Sequence, residues 1–186
     1  MTKDELETLL EGAEETDSLE FKTAMNWDKL ALAKDILAMA NIQDGGRIVF
    51  GIEDETHKRV GMSDAQIATF NSDQMKDQIG EYADPRVVFR KEVVSDADGL
   101  KFIVLTVSSF DEFPVICKKD GPDLQKGTIY YRSKAQKPQS ARVSNYTDMR
   151  DIIEVAVVRR MQRLQKLGLI AKPEAAYDFQ SELGGL

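Results

Sequence analysis

The sequence predicts one α+β domain, a mixed and mainly antiparallel sheet with helices packed on it. Three observations carry that expectation. Helical and strand-like periodicities alternate through the first half of the chain, then short strands follow one another, then a last helix closes the pattern. Arg47–Ile52 is rich in β-formers and has the length of a buried strand. Asp96–Gly99, between two apolar runs, is a hairpin signal.

Each element follows from local chemistry. Thr2 and Glu5 make a capping box for a helix over 3–13, with Leu6, Leu9 and Leu10 on one face. Leu19 and Phe21 alternate with Glu20 and Lys22, a half-buried strand whose charged pair shares the face away from the core. Leu30, Ala33, Ile36, Leu37 and Ala40 recur at helical spacing over 27–42, and Gly45 and Gly46 turn the chain into the strand 47–52. Val60 and Gly61 suggest a short return strand, and 64–82 a helix with a break near Asn71 and Ser72. Strands over 87–94, 100–107, 115–118 and 127–132 follow, then a polar, basic loop over 133–142. Asn145 and Asp148 cap a helix over 147–167, with Ile152, Val155, Ala156, Met161 and Leu164 on its apolar side. The chain therefore divides into an N-terminal helix (1–14), a domain (15–168) and a loosely held tail (169–186).

Composition removes several function classes. With 42 % hydrophobic and 31 % charged residues, the chain is globular and not disordered. A single cysteine, Cys117, allows no disulfide within the chain and fits a reducing, cytoplasmic setting. No run of 18 apolar residues marks a membrane span, and the acidic start is no signal peptide. Net charge is −7, which argues against an indiscriminate DNA coat. The charge is uneven, however: residues 1–20 are acidic and residues 118–150 basic.

Two constellations could carry chemistry. Glu15 and Glu20 flank a turn into a strand and Asp54 closes the next predicted strand, so the three acids gather at one sheet end or face if those strands are neighbours. Three carboxylates suit Mg²⁺ or Mn²⁺, since hard cations take oxygen ligands. From the residues alone, solvated surface is the simpler reading of the same acids. Lys118, Lys119, Lys126, Arg132, Lys134, Lys137 and Arg142, with Tyr130 and Tyr131 interleaved, could hold phosphates and stack on unpaired bases. The alternative puts the tyrosines in the core. A second basic set, on the last helix, reads as its wet side. No Walker A sequence is present, and the Gly45-Gly46 pair follows a helix, where a turn is the simpler reading.

Glu15-x-x-x-x-Glu20-Phe21-Lys22, Ala38–Asn41 with Gly45-Gly46, Val49–Asp54, Val60-Gly61 and Ile129–Ser133 occur in the order found in the Schlafen-type, Alba-related domain, which this chain resembles over about residues 15–133. Two details depart from that family. Three residues, not two, separate Asn41 from the glycine pair, and Ser133 stands where a glycine is common after Arg132.

The resemblance implies a nucleic-acid-binding domain, and in some members a metal-dependent endoribonuclease acting on tRNA and other structured RNA. It implies that Glu15, Glu20 and Asp54 form the catalytic, metal-holding set with Mg²⁺ or Mn²⁺. Lys22 would orient a carboxylate or meet a phosphate, and Lys118–Arg142 would grip the backbone. Tandem members form a cradle from two lobes, so a one-lobe chain is expected to homodimerise. The alternative is a non-catalytic DNA- or RNA-binding module, with ATP binding a third possibility.

Overall fold

The computed structural model describes residues 1–11, 15–53, 56–133 and 139–170. Five helices and eight strands follow in the order α1 (Lys3–Leu10), β1 (Leu19–Lys22), α2 (Lys29–Ala40), β2 (Gly46–Phe50), α3 (Asp64–Thr69), α4 (Ser72–Gly80), β3 (Ala83–Asp84), β4 (Phe89–Ser95), β5 (Lys101–Val107), β6 (Ile116–Cys117), β7 (Tyr130–Arg132), β8 (Ser140–Arg142) and α5 (Tyr146–Lys166) among these residues.

The main sheet has the order β1-β2-β5-β4. β1 and β2 run parallel, while β2–β5 and β5–β4 are antiparallel. The parallel pair needs a crossover, and α2 supplies it. Two small ribbons, β3–β6 and β7–β8, complete the strands.

Strand alternation splits the core in two. Ile48, Phe50, Ile103 and Leu105 point to one face, against α2, α4 and the ribbons. Phe21, Val49, Phe102 and Val104 point to the other, where Leu6 of α1 is fully buried. The capping box of α1 is formed as expected, with Thr2 and Glu5 bonded reciprocally. The first helix is thus part of the fold's second, smaller core.

Nearly every position of α2 from Leu32 to Ala40 is buried, because the sheet lies on one side of it and β7–β8 on another. Asp28 starts it by accepting from the backbone N–H of Leu30 at 2.8 Å. Asn41 caps its end, and Gly45 and Gly46 then lead through a packed turn into β2. Gly45 has φ +71, and a Cβ there would lie 2.2 Å from the Val107 carbonyl. One on Gly46 would meet Met39.

Asn41, just past α2, is a buried staple. Its Nδ2 donates to the carbonyls of Leu37 (3.2 Å), Val115 (2.9 Å) and Tyr130 (2.9 Å), and its Oδ1 accepts from Val115 N at 2.7 Å. One side chain ties the chain on either side of the 116–129 loop to the central helix.

Four expectations need correction. The loop expected over 133–142 ends in β8, which pairs with β7; Ser140-Ala141-Arg142 lacks β-branched residues, so only its partner reveals it. The return strand at Val60-Gly61 is reduced to a single bridge, Ile52 to Arg59. Met161 is 49 % exposed, because it lies nine residues, about 180° at 3.6 residues per turn, from the buried Ile152. The fourth concerns Glu20 and Lys22. They share a face, but that face looks toward α2, not out to water. The expected break between α3 and α4 is present, with Asn71 capping α4. Most of the tail lies outside the described residues.

Candidate nucleic-acid and carboxylate site

β1 places the centre of the site. It sits at the sheet edge, so its α2-facing side chains line a cleft and do not enter the closed core. Glu20 is only 9 % exposed there. Its Oε2 accepts from Arg132 of β7, and its Oε1 accepts from Lys22 Nζ at 2.7 Å. Lys22 reaches on to Asp35 of α2 at 3.1 Å. Burial alone would pull the Lys22 pKa down, but Asp35 and Glu20 outweigh it and hold the ammonium above its ordinary value.

Arg132 is fully buried. Besides Glu20 it donates to the backbone carbonyls of Thr16 (2.9 Å) and Leu19 (3.4 Å), while its Nε has no partner among the described residues. Two cations and two carboxylates therefore form one nearly buried, charge-balanced chain running Arg132–Glu20–Lys22–Asp35. Burying such charges is tolerable because each is paired.

Glu15 is half-buried and accepts from the Phe21 N–H at 3.0 Å. That bond folds the turn before β1 and brings Glu15 to the same cleft as Glu20. The cleft has a volume of about 300 Å³, with Lys22, Lys34, Asp35 and Ser140 also in its walls.

The expected site residues now separate. Glu15 and Glu20 share a cleft, and Lys22 orients Glu20. Asp54, Lys134 and Lys137 lie outside the described residues. Arg132 is no surface contact but the buried partner of Glu20, a correction that follows from β7 packing all three of its side chains inward. Tyr130 and Tyr131 are buried with it, and so are not stacking platforms. The Tyr130 hydroxyl accepts from Gln125 N at 2.8 Å. Burial, with Asp151 and Asp148 nearby, pushes the Tyr131 phenol up to about 12.

Lys118, Lys119, Lys126 and Arg142 are exposed. Lys119 pairs with Glu81 at 2.7 Å, which holds that carboxyl below its usual range. Arg142 donates to the neutral Gln125 at 2.5 Å. Cys117 is buried, and burial pushes its thiol up, so it is no activated nucleophile.

Sequence reasoning missed two residues. Asp35 was hidden because a charge on an otherwise apolar helix face reads as noise, although its place three residues after the buried Leu32 and four before the buried Met39 puts it on the buried side. Lys34 was hidden because its significance depends on where β8 passes. No group of three His, Cys, Asp or Glu side chains close enough to hold a metal exists among the described residues. Glu15 and Glu20 are two donors of the right chemistry, each with oxygen lone pairs left over. A third would have to come from outside the described residues, where Asp54 lies.

Comparison with known proteins agrees with this architecture. Residues 15–141 match the Schlafen, AlbA_2 family, and the chain belongs to it. It is similar to the Uncharacterized ATP-binding protein UU034 of Ureaplasma parvum, 24 % identical over 168 residues covering 82 % of this chain and 46 % of that protein. The chain thus spans about half the length of that relative. Among solved structures, the DIP2311 protein of Corynebacterium diphtheriae aligns with TM-score 0.52 and 17 % identity over 80 % of this chain and 27 % of that one. The N-terminal domain of a RecG-related protein from Nitrosomonas europaea aligns with TM-score 0.50 and 18 % identity over 78 % of this chain and 97 % of that one. At these identities the two structures attest the shared fold. Among the described residues no helix is long and apolar enough to cross a membrane.

Proposed function

We propose that this domain binds nucleic acid, and that it acts as a divalent-metal-dependent endoribonuclease on structured RNA such as tRNA. The observation that carries the reading is the cleft whose walls hold both Glu15 and Glu20, and which adjoins the cleft lined by the exposed Arg142. Membership of the Schlafen, AlbA_2 family supports the nucleic-acid part.

In this reading Glu15, Glu20 and Asp54 hold Mg²⁺ or Mn²⁺. When bound, such an ion activates water and offsets charge on the phosphoryl group. The chain's own residues prepare the site. Arg132 fixes Glu20 in one rotamer, and Lys22, braced by Asp35, fixes its other oxygen. Lys118, Lys126 and Arg142 meet backbone phosphates and give affinity without reading bases.

The architecture dictates how to test this. Replacing Glu20 would strand the buried Arg132 and confuse lost activity with lost fold. Glu15→Gln and Asp54→Asn avoid that. Labelled total tRNA incubated with wild type and Mn²⁺ should yield discrete fragments, absent with EDTA and in both variants, while RNA binding persists. Equal cleavage by all three proteins would overturn the assignment.

One observation favours a second reading, a non-catalytic DNA- or RNA-binding module. Glu20 is already neutralised by two cations, which weakens its pull on a metal. Salt-steep binding without turnover would select that module, and thermal stabilisation by ATP would point instead to a nucleotide site. The nuclease reading also carries a homodimer whose two lobes face one substrate. A monomeric mass by light scattering at micromolar concentration would remove that part.

A further inference from the structure

The carboxylate cleft does not end at Ser140. A second cleft of about 380 Å³, lined by Lys34, Leu124, Gln125, Ser140 and Arg142, shares Lys34, Asp123 and Ser140 with the first. The two therefore form one groove, which β8 borders along its length.

Positive charge along this groove is of two kinds. At the carboxylate end each cation is answered, Arg132 by Glu20 and Lys22 by Glu20 and Asp35. Lys34 is different. It is half-buried on α2 at the junction of the two clefts, and it makes no ion pair or hydrogen bond with any described residue. Asp123 lines the same junction without reaching ion-pair distance of it. Further along, Arg142 is exposed, and its guanidinium bonds only the neutral Gln125 among the described residues. Among the described residues, two cations of one open groove thus lack a carboxylate partner; Ser140, whose hydroxyl accepts from Arg132 at 3.4 Å, lines both clefts. A single carboxylate ligand would need converging donors. Cations strung along a groove match a repeating anion, and both lysine and arginine suit phosphate.

We infer that Lys34 and Arg142 form a phosphate subsite, holding the backbone of a polynucleotide as it leaves the carboxylate cleft. The inference rests on the nucleic-acid reading above and deepens it. It makes α2, otherwise buried from Leu32 to Ala40, a contributor to binding through one residue.

The test is fluorescence anisotropy of a labelled RNA hairpin with the full chain, in EDTA, across 50–200 mM salt. Lys34→Gln should weaken binding about three- to tenfold and lower the salt slope by about one; Arg142→Gln should do likewise. Lys34→Arg should keep most of the affinity, and Asp123→Asn should tighten it about twofold. Lys101→Gln, which removes a partner of Asp64 outside the groove, should change nothing. If Lys34→Gln binds as wild type while Arg142→Gln is weaker, the subsite is wrong and the nucleic-acid reading stands. If wild type shows no salt-dependent binding, both fall. Thermal melting of each variant guards the comparison. If Lys34→Gln melts early, Lys34→Arg and Asp123→Asn decide the matter.

Discussion

The two ends of the groove hold similar side chains under opposite conditions. At the β1 end, Arg132, Glu20, Lys22 and Asp35 are mostly buried and mutually neutral. At the β8 end, the half-buried Lys34 and the exposed Arg142 have no carboxylate partner among the described residues. Charge removed from water must be paired, so the first group is committed to holding the fold and orienting Glu20. Charge left in a wet groove costs little and stays available to a ligand. The type of residue does not separate structural from binding cations here. Their partners do.

Substitutions should break that contrast in graded steps. Arg132→Met is the most damaging, since it leaves Glu20 buried with one partner fewer; urea denaturation should show a loss of about 3–5 kcal/mol. Asn41→Ala follows, stranding a buried donor and acceptor at Val115 and the carbonyl of Tyr130, at about 2–3 kcal/mol in the same assay. Asp35→Asn should cost about 1–2 kcal/mol and leave Lys22 to Glu20 alone. In EDTA it should not weaken RNA binding, because the cleft gains net positive charge. Arg142→Gln is the mildest for the fold: its melting temperature should match wild type while its RNA affinity falls. A matching loss of stability in Arg142→Gln, or full stability in Arg132→Met, would erase the distinction between the two ends.

Much of the frame was legible beforehand. Leu19 and Phe21 against Glu20 and Lys22 fixed which side chains of β1 travel together, and Thr2, Asn71 and Asn145 marked helix starts that the structure keeps. What alternation could not show is that both faces of β1 are covered. It also could not show that β7 buries three successive residues, because α2 and the turn before β1, both distant in sequence, cover it. Arg132 therefore read as surface when it is core. The Asn41 staple was visible only as a motif letter, since its partners lie 74 and 89 positions away.

The sequence by itself determined the α+β class, the order of the helices and of the main-sheet strands, the family motifs and the placement of Glu15 and Glu20 around one turn. These follow from local periodicity, capping and hydrogen bonding, which act over a few residues. Only the tertiary structure decided which cations are spent and which are free. That choice depends on α2, β1, β7 and β8 meeting in space, and on how much water each charge loses when they do.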